Sequence, residues 1–516
     1  MLDQLRWADL FVIFLNLGAM IFIGVHTSRK NRSPEAYFLA NRSMPGWVVG
    51  ISLMATIISS MTFLAMPGFA FQQDWRYIPG HMTYLIANAA ALFLFMPFFR
   101  AGRFNSAYEY LERRFGRWAR LYAAAGFILF QMFRLGVILY AVSLAIETLS
   151  GFPLPWIIIV FGVLVAFYTT AGGLEAVIWT DVLQGCALIG GGLLCVPIVA
   201  GLLPGGFSQI LVEAQAAEKF AVGSTAFSWT EKTLWVNTLL YFFLFLQLMS
   251  TDQMMVQRYS AMKTDRDARQ GVILGAFSAV GVWIYFTFVG TALFVFYNHF
   301  PTPALESLQP EQIFPYFILT RMPTGLAGLI ISGLLAAAMS TLDSSINASA
   351  ATVTTDFYRR LFAPDREERH YVTVGRWLSV FFGAIMIAAA LLIYFTRTET
   401  LMDLQSLIMS ILSGGLLGLF LLGFLTKRVD SRAALAATLT VLVTVCLWVF
   451  VGSEAGARWL PTVSRFFPDR FWIIVIANLL LLGLGYGISF LISGRPDKDL
   501  TNLTIWTRRK SSPSAG

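Results

Sequence analysis

Apolar residues in this chain neither alternate with polar ones, as in a half-buried strand, nor recur every three or four positions, as in an amphipathic helix; they run on, broken by short polar punctuation. Thirteen such runs stand out, at about 8–26, 46–70, 79–99, 119–147, 154–171, 176–203, 233–251, 271–298, 323–356, 372–395, 401–425, 433–452 and 471–493. A bilayer core takes about 20 apolar residues per helix, so the pattern predicts an all-α integral membrane protein of about 13 transmembrane helices. The first run has only Arg6 ahead of it and no small-residue cleavage pattern, and it is read as a retained helix rather than a signal peptide. No Pro-, Ser- or Gly-rich linker divides the chain, which reads as one membrane domain. Leu202–Glu231 is its longest outer loop, expected to be a surface flap, and Ser511–Gly516 is expected to be disordered.

Composition agrees: 57% of the 516 residues are hydrophobic and 13% charged, which excludes a water-soluble globular protein and leaves no room for a large extramembrane catalytic domain. The net charge of +8 would suggest a nucleic-acid partner if the basic residues formed a patch. They sit instead in alternate loops, for example Arg29, Lys30 and Arg32, then Arg113, Arg114 and Arg117, then Arg258 and Lys263, then Arg359 and Arg360, then Lys427 and Arg428. The positive-inside bias makes that face cytoplasmic, with the N-terminus outside and the C-terminus inside. No nucleic-acid partner is implied. Cys186, Cys195 and Cys446 lie in apolar runs and offer neither a disulfide framework nor a metal site.

Ionisable residues at membrane depth are costly and point to function. Four stand out: Arg134, Asp181, Asp343 and Asp403. Arg134 is flanked on both sides by more residues than its side chain can snorkel past, so its guanidinium either anchors a carboxylate of a bound anion or pairs with an acidic residue on a neighbouring helix. Along AAAMSTLDSSINAS, the residues Ser340, Asp343 and Ser344 share one helical stripe with Thr341 a position round. Oxygen-only ligands suit a hard cation, although Ser and Thr also line ordinary helix contacts. In the second run Ser59, Ser60 and Thr62 precede Met66-Pro67-Gly68, where either a broken helix with free carbonyls or a simple kink is expected. Broken helices are a common feature of transporter binding sites.

Four stretches taken together resemble the sodium:solute symporter family: SLMATIISSMTFLAMPG, FYTTAGGLEAVIWTDVLQG, TDQMMVQRYSAMK and AAAMSTLDSSINASAATVTTDFYRR. The resemblance covers nearly the whole chain after the first run. It implies a LeuT-type fold of two inverted five-helix repeats with broken first core helices. Residues 1–45 would hold a peripheral helix and loop, 46–203 repeat one, 204–232 an outer loop, 233–425 repeat two, and 426–516 two peripheral helices and a tail. It implies sodium as coupling ion, with a main site at Ala55, Ile58, Ala337, Ser340 and Thr341. A second site, as sialic acid carriers of the family have, would fall on Asp181, Ser340, Asp343 and Ser344. Asp343 stands where that group has a hydroxyl, so this second site would hold either sodium or a proton. RLGVILYAVSLAIETLSG resembles the sialic acid, iodide and monocarboxylate branch, and Arg134 falls where sialic acid carriers place the arginine that holds the substrate carboxylate. Ser59 and Thr62 fall on their hydroxyl contacts, while Ser60, Gln72, Gln73 and His81 are further candidates for the pocket. The expected substrate is a small organic anion, sialic acid first among the candidates; another carboxylate or a neutral sugar is the alternative.

The expected partners are thus the substrate, sodium and lipid, with a monomeric functional unit in a bacterial inner membrane. An intramembrane enzyme would need a nucleophile and base or a metal dyad at depth; the four histidines offer neither, and HExxH and GxSxG are missing. A sensor would carry a signalling domain that the roughly 20 residues after Ser493 are too few to form. A channel would show uptake without saturation or ion coupling.

Overall fold

The computed structural model describes residues 7–102, 104, 106–396, 414–460, 462–463, 468–492 and 499–507, and among these the regular structure is helical apart from one bridge between Met44 and Met262. The chain runs through α1 (Trp7–Ser28), α2 (Gly46–Ile57), α3 (Ser60–Gln72), α4 (Ile78–Ala101), α5 (Ala107–Phe115), α6 (Arg117–Ser150), α7 (Leu154–Leu193), α8 (Cys195–Leu202), α9 (Gly206–Ala216), α10 (Leu234–Thr251), α11 (Gln253–Ala261), α12 (Asp265–His299), α13 (Pro310–Arg321), α14 (Leu326–Thr352), α15 (Glu368–Thr396), α16 (Leu416–Leu425), α17 (Ser431–Val451) and α18 (Ile473–Ile492). Ten helices among the described residues are long and apolar enough to cross a membrane, or eleven if the bent α2–α3 pair is one span. The runs expected at 154–171 and 176–203 form one long apolar stretch, interrupted at Gly173, whose φ of 62° and ψ of −159° leave helical geometry. A side chain there would press on the Tyr37 carbonyl, so the turn calls for glycine twice over. Asp403 and the first part of the 401–425 run lie outside the described residues.

Large apolar side chains face outward as well as inward. On α1 the side chains of Trp7, Phe11, Phe14 and Phe22 are exposed, as suits a helix that meets acyl chains. On α14 every residue from Ile330 to Thr352 is buried, although the stretch carries Ser340, Thr341, Asp343, Ser344, Ser345, Asn347 and Ser349. Its Ala, Ser and Gly residues let neighbouring backbones approach closely, and close packing is what holds helices together where lipid offers no hydrophobic drive. It packs chiefly on α7 and also touches α2, α6 and α15. Asp9 of α1 accepts hydrogen bonds from the backbone N–H groups of Gly325 and Gly328 (2.7 and 2.8 Å), capping the start of α14 and seating α1 against it.

The 204–232 loop is more than a flap. It contains α9, which docks on α12 through Glu213 and His299 (2.8 Å) and through Phe207 against Phe288.

Candidate transport site

Besides the turn at Gly173, two breaks among the described residues bear on the site. Between α2 and α3 the chain leaves helical geometry at Ile58 and Ser59, and the axes of Gly46–Ile57 and Thr62–Gln72 diverge by 56°. The break therefore lies ahead of Ser60, not at Met66-Pro67-Gly68. Pro67 sits inside α3 and costs the ladder one donor, which the helix tolerates because Gly68 and Gly290 let the backbones of α13 and α12 pack directly on it. At the break, Ile58 N–H still donates to the Met54 carbonyl (3.0 Å), and the next bonds start only where Thr62 and Phe63 donate to Ser59 (3.0 and 3.3 Å). The Ala55 and Ile58 carbonyls are left without an N–H donor among the described residues. The second interruption separates α10 from α11 at Asp252, which is extended (φ −79°, ψ 132°) and caps α11 by accepting from Met254 N–H (2.8 Å).

The first break has an electrostatic consequence. The carbonyl end of α2, partially negative, and the N–H end of α3, partially positive, meet there, so one point in the bilayer offers a cation site and an anion site side by side. α14 packs against both half-helices. Ala55, Ile58, Ala337, Ser340 and Thr341 are all buried, and Thr341 donates weakly to the Ala337 carbonyl (3.3 Å) while its oxygen keeps lone pairs to offer. A hard cation fits this donor set, which is made wholly of carbonyl and hydroxyl oxygens.

Toward the other end of the same stripe lies a fully buried polar cluster. Asp181 of α7 pairs with Arg258 of α11 (2.8 Å), both side chains being wholly excluded from solvent. Ser52 of α2 donates to Asp181 (2.5 Å) and accepts from Arg258 Nε (2.8 Å). The guanidinium also reaches Ser344 (2.6 Å) and the Met254 carbonyl (3.1 Å). Asp343 accepts from the Tyr168 hydroxyl (2.7 Å) and from Ser344 (3.3 Å). Asp181 Oδ1 and Ser340 Oγ are buried without a hydrogen-bond partner. Asp181, Ser340, Asp343 and Ser344 thus lie in one cluster, built around an arginine. With both carboxylates ionised, one positive and two negative charges leave a single negative charge inside the membrane, and the two orphaned oxygens are what a cation would take up.

Arg258, Ser52 and Tyr168 were missed in the sequence. Arg258 follows the 233–251 run and reads as one more cytoplasmic loop charge, yet every residue of α11 is buried. The sequence offers no signal that separates this stretch from a loop, since water would satisfy Gln253, Gln257 and Arg258 as readily as an internal partner.

Arg134 is partly buried in the middle of α6, 5.9 Å from the centroid of the Phe130 ring, and makes no hydrogen bond or ion pair among the described residues. Among the described residues Asp252 is an acidic neighbour whose charge acts on it. Phe130 and Asp252 line the same small cavity, together with Tyr108, Phe127 and Thr251. Arg134 therefore has an acidic neighbour, as a structural pair would, while its five N–H donors stay uncommitted, as an anchor requires. Thr62 is buried at the start of α3, and Ser59 stands at the N-cap position with no capping hydrogen bond from its side chain; the side chain of Ser60 lies outside the described residues. Gln72 and Gln73 are exposed at the far end of α3, about 20 Å along the axis from Ser59. His81 is buried on α4 in an aromatic box with Tyr241, Phe245 and Trp283, its Nδ1 at 2.8 Å from the Tyr77 carbonyl.

A family model for the sodium:solute symporter family matches residues 37–440. The chain is 31% identical over 504 residues to a sodium/sialic acid symporter, NanT, of Aliivibrio fischeri, covering 98% of this chain and 97% of that one. It is 32% identical over 435 residues to a sodium/sialic acid symporter, SiaT, of Proteus mirabilis, covering 84% and 88%, and 30% identical over 459 residues to the human sodium-coupled monocarboxylate transporter 1, covering 88% and 73%. Among solved structures, a Na+-coupled sialic acid symporter in a substrate-bound outward-open state superposes with a TM-score of 0.88 at 30% identity, over 95% of this chain and 99% of that one. A nucleobase-cation-symport-1 family transporter in a closed conformation superposes with a TM-score of 0.56 at 16% identity, over 89% and 94%, and shares the fold.

Proposed function

Because this chain belongs to the sodium:solute symporter family, we propose that it imports a small organic anion, sialic acid (N-acetylneuraminate) first among the candidates, on a sodium gradient by alternating access. The observation that carries the anion reading is Arg134, a guanidinium at membrane depth with no hydrogen bond among the described residues, on a helix that passes α3. A substrate carboxylate between Arg134 and the N–H end of α3 would meet both sources of positive potential, with Ser59 and Thr62 beside it. Sodium at Ala55, Ile58, Ala337, Ser340 and Thr341 would tie α2 to α14 and stabilise the arrangement in which that carboxylate binds. The repeats would be 46–203 and 233–425, completed by a thirteenth span over 401–425, with the N-terminus outside, the C-terminus in the cytoplasm and one chain as the functional unit.

Calorimetric titration of the purified protein with N-acetylneuraminate, in sodium and then in potassium, tests this reading. Binding should need sodium, and a coupling of about 1–3 kcal/mol would make the affinity roughly 5- to 150-fold weaker in potassium. No binding in sodium would remove sialic acid, and equal affinity in the two salts would remove the coupling.

Two variants separate the ion sites. Thr341→Ala should raise the sodium concentration for half-maximal uptake about tenfold, the equivalent of about 1.4 kcal/mol for one lost oxygen, and an unchanged sodium curve would contradict the assignment. Asp343→Ser cancels the surplus negative charge of the Asp181–Arg258–Asp343 cluster. The charge moved per substrate, read from reversal potentials in proteoliposomes, should then differ from wild type by one if Asp343 takes up a sodium ion or proton of its own. The same charge per substrate in the variant would mean that Asp343 takes no part in coupling.

A further inference from the structure

One side chain from the 204–232 loop reaches the far end of α3, where Phe71 already packs against Phe294 and Tyr297 of α12. Helix α9 ends in a turn where Glu218 takes a positive φ of 54° and Lys219 N–H reaches back to the Ala214 carbonyl (2.9 Å), the hydrogen bond of a Schellman motif. A non-glycine residue in that conformation carries a backbone penalty, and here the turn aims Lys219 inward. The lysine is buried, and its ammonium donates to the carbonyls of Phe71 (2.6 Å), Gln73 (2.9 Å) and, at the limit of range, Ala70 (3.5 Å). Three acceptors match the three N–H donors of an ammonium group, and they include carbonyls that the end of α3 leaves without intrahelical partners. Burial lowers the pKa of Lys219 and the nearby Asp74 carboxylate opposes that shift.

The same ammonium lies 4.0 Å from the centroid of Phe294 on α12. The chain beyond it is fastened as well: Trp75 N–H donates to the Ala221 carbonyl (2.8 Å), the Trp75 ring packs edge-on against Phe220, and its indole N–H donates to Thr291 of α12 (3.0 Å). With α9 docked on α12 through Glu213 and His299, the loop forms a closed tie from α12 to the end of α3.

We propose that Lys219 is a positioning residue for substrate binding, which fixes the distal end of α3 to α12 and thereby holds the Ser59–Thr62 end of the same half-helix where it receives substrate. This rests on the reading of α3 as a substrate-contacting helix, so the first readout is independent of any substrate. Hydrogen exchange of the full-length protein in nanodiscs should show faster exchange of the 69–76 amides in Lys219→Met, with protection near the wild-type level in Lys219→Arg, which still donates to carbonyls. In sodium-driven uptake, Lys219→Met should raise KM about tenfold with the maximal rate within twofold of wild type, and Lys219→Arg should recover most of the KM. If Lys219→Met does not accumulate, Lys219→Gln, which donates without a charge, should show the same changes in smaller measure. Unchanged exchange over 69–76 overturns the tie. Faster exchange with unchanged KM overturns the positioning role. A sialic acid that fails as substrate would leave the exchange result standing and move the KM test to whichever anion is carried.

Discussion

Replacing Arg134 by alanine is expected to abolish concentrative uptake while the protein still folds and still responds to sodium. Truncating one partner of a desolvated charge pair costs about 2–5 kcal/mol, roughly 30- to 5,000-fold in affinity. The guanidinium has that energy to give because none of its donors is spent on the described residues. Folding should survive for the same reason, since alanine leaves no hydrogen-bond acceptor orphaned. Asp252, whose charge acts on Arg134, is the natural competitor of an incoming carboxylate. Asp252→Asn keeps the cap on α11, because asparagine caps as well as aspartate, and should tighten substrate binding. Thermal stability with and without sodium, measured beside uptake, decides between the two roles of Arg134. A sodium-induced stabilisation equal to wild type with no uptake identifies an anchor, whereas an unfolded Arg134→Ala would mark Arg134 as half of a structural pair with Asp252.

Replacing Arg258 by methionine should have the opposite profile, a loss of stability that precedes any effect on transport. Arg258 and Asp181 are both wholly buried, and removing one member of such a pair costs about 3–5 kcal/mol because the other is left charged and unpaired. The cost should be at the upper end here, since Asp343 stands by as a second carboxylate and Ser52 and Ser344 lose a donor together. The double variant Arg258→Met with Asp181→Asn should recover most of the loss. Chemical denaturation in detergent micelles measures both. A midpoint for Arg258→Met equal to wild type would mean that the cluster is not held by this pair.

Much of this arrangement was legible in the chain because the bilayer makes the reading simple: long apolar runs must be helices, and a charge inside one has to be explained. That logic singled out Arg134, Asp181 and Asp343, helical spacing added Ser340 and Ser344, and the family resemblance grouped Asp181 with them. It failed where a polar residue follows an apolar run instead of interrupting it. Arg258 and Asp252 come just after the 233–251 run, and a hydropathy window assigns such residues to water, although α11 is packed inside the protein. It also misplaced the break in the second run, because Pro67-Gly68 looks like the weak point and the fold supports it there with direct backbone contacts from α12 and α13, while Ile58 and Ser59 carry no comparable mark. Gln72 and Gln73 were grouped with Ser59 by proximity in sequence, and the length of a helix separates them. Lys219 had no local clue, since its three acceptors belong to a segment some 150 residues earlier.

The most direct test of the account is uptake of labelled N-acetylneuraminate into proteoliposomes of the purified protein, with and without an inward sodium gradient. The account predicts saturable accumulation above the external concentration, only with the gradient, accelerated by an inside-negative potential and inhibited by other sialic acids ahead of neutral sugars. Equal accumulation without sodium, or competition by neutral sugars that sialic acids do not match, would contradict it.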